Sequence, residues 1–204
     1  MKRFIIALLL LCHVPLFALG YKEPMAEANA APLQFSVFDG MAIPQPQMVK
    51  GLRINLPYGK VGFMTGIDLG IYNETTEKQV GIELGLVNIA PKSFGFRLGL
   101  LNASEDTFGL HLGLIQLAKN ANSPSLSLLY NSATNKSHGP QFAAWNSAGD
   151  NLGLQIGLLN TAIQTYGIQF GLINFSEKKL SGIQIGLLNF SEGGFIPMPI
   201  LKLP

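Results

Sequence analysis

An eight-residue pattern, clearest as Gly-Leu-Gln-Ile-Gly-Leu-Leu-Asn from Gly153 to Asn160, recurs ten times along this chain. The copies start at Gly51, Gly66, Gly81, Gly95, Gly109, Ser123, Gly139, Gly153, Gly167 and Gly182, so the interval is 14 or 15 residues except for one of 16. A short, fixed period of this kind means that one small unit is stacked on itself. No such unit can bury enough surface alone, so the fold has to be a continuous array in which each copy shares its core and its backbone pairing with its neighbours.

Within a unit, positions two, four and six are mostly large and aliphatic, as in Ile82, Leu84 and Leu86, or Phe96, Leu98 and Leu100, or Ile183, Ile185 and Leu187. This period of two predicts a strand with one buried face, and apolarity assigns the even positions to that face. Position three is polar in every copy: Arg53, Asp68, Glu83, Arg97, His111, Ser125, Gln141, Gln155, Gln169 and Gln184. It is expected on the opposite face with the glycines of positions one and five. Position eight is asparagine in seven copies, Gln116 in one and tyrosine in two, and asparagine suits the end of a strand and the start of a turn. A helix is a poor alternative, because two glycines per window would cost roughly 1 kcal/mol each relative to alanine.

The segments around the repeats divide the chain. Residues 1–20 carry Lys2 and Arg3 ahead of an apolar run from Phe4 to Leu19, the layout of a cleaved signal peptide ending before Tyr21, with a second possible site near Ala28 to Ala31. The only cysteine, Cys12, lies in that leader, so disulfide and cysteine-metal chemistry are not expected in the rest. Residues 21–32 read as a linker, residues 33–50 as a cap strand followed by Ile43-Pro44-Gln45-Pro46, residues 51–194 as the repeats, and residues 195–204 as a second cap with Ile196-Pro197-Met198-Pro199. The formal net charge is +2 with 13% charged residues, which gives no basic field for nucleic acid.

The fold class is all-β, and two arrangements fit: a β-solenoid or two-sheet roll, and an antiparallel up-and-down barrel of an outer membrane. The Pro-X-Pro segments favour the solenoid, since a closed barrel has no edge to blunt and a solenoid has two. Connections of uniform length point the same way, because bacterial barrels alternate short turns with long loops. If consecutive units were neighbours, Asp68 would lie beside Glu83; stacking of alternate units, with a turn of about 29 residues, avoids that repulsion. That expectation puts Arg53 against Glu83 and Asp68 against Arg97, with the asparagines and glutamines forming amide ladders.

The units from Gly153, Gly167 and Gly182, standing behind a signal-like leader and before a proline-containing end, resemble a bacterial surface-repeat protein family built of tandem 14–15-residue repeats of the Gly-Leu-Gln-Ile-Gly-Leu-Leu-Asn type. The resemblance covers residues 51–194 and implies export and a cell-surface or outer-envelope location, not an activity. The unit from Ser123 lacks both glycines and that from Gly139 has Ala143 in place of the second.

Chemistry is sparse. His13, His111 and His138 do not cluster in sequence, His111 being one member of the polar third column, and the chain has no nucleophile elbow, zinc-protease helix, P-loop or EF-hand spacing. No catalytic, cofactor or metal site is expected, and the chain reads as non-enzymatic: a scaffold, adhesin or binding surface for an unidentified envelope or surface partner, or, in the barrel arrangement, an outer-membrane pore or structural protein. Five Asn-X-Ser/Thr triplets, at Asn73, Asn102, Asn135, Asn174 and Asn189, follow mostly from the repeat itself. The irregular centre, with the 16-residue interval and the only tryptophan, is the place where recognition would be written, and His138, Gln141 and Trp145 are the candidate patch.

Overall fold

A computed structural model describes residues 29–38, 41–191 and 198–203; the leader, Asp39-Gly40 and Pro197 lie outside them. The chain is a β-solenoid of about 11 turns and not a barrel. Its strands are β1 (Ala30–Ser36), β2 (Ala42–Ile43), β3 (Met48–Leu84), β4 (Val87–Ala121), β5 (Ser125–Ser137), β6 (Gln141–Phe142), β7 (Trp145–Asn151), β8 (Leu154–Thr165), β9 (Ile168–Leu180), β10 (Ile183–Ser191) and β11 (Met198–Lys202). β1 begins inside the stretch read as a linker. β3 and β4 each run through more than one turn of the solenoid, since the backbone stays extended across its corners.

Consecutive units stack in parallel and in register: Asn73 pairs with Asn88, Gly81 with Gly95, Gln155 with Gln169, and Asn174 with Asn189. The expected stacking of alternate units is therefore corrected. Asp68 does neighbour Glu83, but each of the two acids has an arginine on its other side, so the column reads plus, minus, minus, plus from Arg53 to Arg97. Parallel stacking stops at both ends in a short antiparallel strand, β2 on β1 and β11 on β10. β2 ends next to Pro44, and β11 includes Pro199.

The inside of the coil is polar, which reverses the expected faces. Leu98 is 45% and Leu187 65% exposed, whereas Gln155 and Asn160 are completely buried. The buried columns are position three, position eight, the alanine or serine two residues later (Ala133, Ala148, Ala162, Ser176) and the residue two before each unit, from Val49 and Met64 to Thr165 and Leu180. Strict alternation breaks between positions six and seven, where two side chains in succession face out, so the chain turns a corner there.

The interior takes side chains as large as Arg53, Arg97, Met64 and Leu180, so size alone does not decide which residues line it. Asparagine and glutamine fit because each finds an identical amide in the turn above and below. Asn160 Nδ2 donates to Asn174 Oδ1 at 2.9 Å and to the Phe170 carbonyl at 2.9 Å, while Asn160 Oδ1 accepts from Asn146 Nδ2 at 2.9 Å. Position eight donates to the position-four carbonyl of the next turn repeatedly, at Leu84, Leu98, Leu112, Ile156, Phe170 and Ile185. Backbone pairing is interrupted just beyond that carbonyl, between Gly157–Gly171 and Leu159–Ile173. The side-chain amide thus supplies a donor at the corner, as buried carbonyls require.

Glycine at position five follows from the same geometry. A Cβ on Gly157 would stand 2.2 Å from the Ala143 carbonyl oxygen and 2.8 Å from Asn146 Nδ2. Three units lack this glycine: in the first, Asn55 stands there and its Nδ2 donates to Asn73 Oδ1 at 2.8 Å, and the other two are the irregular ones. With Ser127, the chain takes up an extra residue at Leu128–Leu129, so that Asn131, not Tyr130, enters the asparagine column. With Ala143, β6 ends after Phe142 and the strand resumes only at Trp145.

Candidate interaction face and polar interior

The outward positions two, four and six carry no polar side chain in any of the ten units. They form three parallel aliphatic ridges along the solenoid axis, joined at the N-terminal end by Leu33 and Phe35, which pair with Leu52 and Ile54. Parallel strands lie about 4.8 Å apart and rise about 3.3 Å per residue, so ten units six residues wide present a face of roughly 50 by 20 Å, or about 1,000 Å². Contiguous apolar patches on soluble monomers usually stay within about 300–600 Å². In the C-terminal half the ridges at positions four and six flank an open apolar trench of about 600 Å³, which runs from Ala143 and Ala144 past Leu158 and Phe170 to Leu187.

The columns flanking this face are almost free of charge. Position seven runs Pro57, Tyr72, Val87, Leu101, Ile115, Tyr130, Trp145, Leu159, Ile173, Leu188 once the extra residue of the sixth unit is allowed for, and on the other margin Lys50 is the one charged residue directly preceding a unit. Exposed charges collect on the remaining side, where Lys60 meets Glu74 at 3.3 Å, Lys119 pairs with Glu105, and Asn120 Nδ2 donates to Asp106 Oδ1 at 2.8 Å. The solenoid is amphipathic by side.

The three residues of the candidate recognition patch are not brought together on one surface. His138 is exposed at a bend, but Gln141 is 1% exposed inside the coil, where its Oε1 accepts from Gln155 Nε2 at 2.9 Å. Trp145 is half-buried, with its ring 4.9 Å from that of Tyr130 and its Nε1 donating to Thr161 Oγ1 at 3.3 Å. Gln141 belongs to the glutamine column because third positions face in. The same fact closes four of the five glycosylation triplets: Asn73, Asn102, Asn174 and Asn189 are buried ladder residues.

The first half of the third column is ionic. Arg53 grips Asp68 through Nε, at 2.9 Å, and Nη2, and also donates to the Glu74 carbonyl at 3.1 Å. Arg97 Nε lies 2.6 Å from Glu83 Oε2, outside hydrogen-bonding alignment, and its Nη1 donates to Ser104 Oγ at 2.6 Å. Burial raises the Glu83 carboxyl above its ordinary range; Arg97 and Arg53 pull it down, and Asp68 pushes it up. The next residue in the column, His111, is lowered to about 3, first by burial and then by the Arg97 charge, so it is neutral at pH 7. Its Nε2 lies 3.4 Å from Ser93 Oγ. Beyond it, where Ser125 interrupts the long side chains, a polar cavity of about 10 Å³ remains, lined by His111, Ser125, Asn131 and Gln141 among others. That is about the space of one water.

Among the described residues no three histidine, cysteine, aspartate or glutamate side chains group as metal ligands, and no helix is long and apolar enough to cross a membrane. Comparison with protein-family models, with curated proteins and with solved structures finds no match. What the arrangement offers chemically is a sealed, charge-balanced interior and a broad apolar exterior face.

Proposed function

We propose that this chain is an exported, non-enzymatic repeat protein of a bacterial surface or outer envelope that works as a scaffold or binding surface. The observation carrying this reading is the uninterrupted apolar face: Arg53, Asp68, Glu83, Arg97 and His111 of the third column are spent on the interior, while this side of the exterior presents area. The leader at residues 1–20 and the surface-repeat resemblance supply the location. A flat, rigid face suits contact with another extended surface, and adhesion is one use of it.

Fractionation of cells producing the tagged chain tests this. The reading expects removal of residues 1–20, recovery in the envelope fraction, and digestion of the chain by protease added to intact cells. An uncleaved chain retained in the cytoplasm would overturn it.

A further inference from the structure

We infer that the aliphatic face is an interface between two copies of this chain, packed face to face about a two-fold axis near the middle of the stack. The area fits: about 1,000 Å² from each copy gives roughly 2,000 Å² in total, within the range of stable homodimers. The composition fits as well, since homodimer interfaces are depleted of charge at their centre, and here all thirty outward positions are apolar. An anionic membrane surface is the weaker occupant. It attracts faces rimmed with lysine or arginine, whereas the two columns beside this face carry only Lys50 between them, and the other exposed lysines, such as Lys119, belong to the opposite side.

Ridge spacing makes the face complementary to itself. With the two-fold axis along the strands, each ridge meets the same ridge of the second copy, and side chains spaced about 4.8 Å apart along one ridge can stagger between those of the other, the dry interdigitation of paired β-sheets. An isologous contact of this kind matches the C-terminal units of one copy with the N-terminal units of the other. The trench that Ala144 leaves then faces the region of Leu98 and Leu100 in the second copy, so the small residue of one chain receives the large residues of its partner. The sixth unit, with Leu126, lies near the axis, and Leu187 lies far from it.

The test is the mass of the purified chain by light scattering and sedimentation at micromolar concentration. The expected result is twice the mass of one chain, reduced to one chain by Leu158→Glu with Leu187→Glu, with the far-ultraviolet β signal retained; Lys178→Glu on the charged side should leave the mass unchanged. In a Cys12→Ser background, Leu126→Cys should cross-link two copies under oxidation, whereas Leu187→Cys alone should not and Leu187→Cys mixed with Leu56→Cys should. The cross-linking pattern keeps the test decisive if the glutamate variants fail to fold. A single-chain mass for the unsubstituted protein, an unchanged mass in folded glutamate variants, or flotation of single chains with phosphatidylcholine vesicles would overturn the proposal, the last by identifying lipid as the occupant.

Discussion

Asn160 lies directly between Asn146 and Asn174 in the stack, accepting from the first and donating to the second, both at 2.9 Å. Its remaining donor reaches the Phe170 carbonyl, so the side chain is satisfied on every side without water. Because the array repeats, one residue type solves the same problem in each turn, and removal of one member leaves two neighbours unsatisfied.

Asn160→Ala is expected to cost on the order of 3 kcal/mol, because buried groups left unpaired cost about 1–3 kcal/mol each. Leu98→Ala, on the outside, is expected to cost less than about 1 kcal/mol in the separated chain. Urea unfolding at low protein concentration measures both. A larger loss for Leu98→Ala would mean that the aliphatic face is the folding core after all.

Gly157→Ala places a methyl group 2.2 Å from a backbone oxygen. Overpacking of this kind costs about 1–3 kcal/mol or more, although alanine is ordinarily the better residue in the unfolded-state balance. Ala143→Gly should be tolerated, since it restores the residue that most of the turns use. The thermal midpoints of the two variants are expected to move in opposite directions or, at least, very unequally.

The buried ionic column invites replacement by amide. Arg97→Gln alone leaves Glu83 facing Asp68 without its partner, and stranding a buried charge costs about 3–5 kcal/mol. Glu83→Gln with Arg97→Gln replaces the buried ion pair by two stacked amides like those of the C-terminal half, and that double variant is expected to match or exceed the unsubstituted stability. Equilibrium denaturation of the single and double variants gives the coupling directly.

His111 makes stability depend on pH in a known direction. Its pKa is depressed in the folded chain, to about 3 from 6.5, so the unfolded chain binds the extra proton between those values. The stabilisation is complete above pH 6.5 and falls as the pH is lowered, with a slope of up to about 1.4 kcal/mol per pH unit. Glu83 acts oppositely, because its raised pKa favours the folded state below the ordinary carboxylate range and loses that advantage as pH rises. Unfolding midpoints at pH 7 and pH 5 should therefore drop for the unsubstituted chain and change much less for His111→Gln. A pH 5 deficit that persists in His111→Gln would assign the effect to another group.

Much of this was legible in the residues alone. The period gave ten of the about 11 turns, β1 adding one before the first unit; the alternation gave the strands, and the amide columns followed from asparagine and glutamine recurring at fixed places. The break in the pattern also marked the irregular centre, where Ser127 and Ala143 stand in place of the position-five glycine. The position of Asn131 in the eighth column could have been suspected from the 16-residue interval. His138, Gln141 and Trp145 are close in sequence, but Gln141 faces the interior, and only the coil's geometry could separate it from the other two.

The sequence by itself determined a stacked β array, because a 14–15-residue period with paired glycines leaves few other ways to pair the backbone. It did not determine which face of each strand turns inward. Alternation distinguishes two faces but carries no sign, and apolarity suggests the wrong one here. Only the tertiary structure decided it: in register, each buried amide meets its copy about 4.8 Å away, which satisfies the polar groups inside the coil, and the aliphatic side chains of positions two, four and six are left outside.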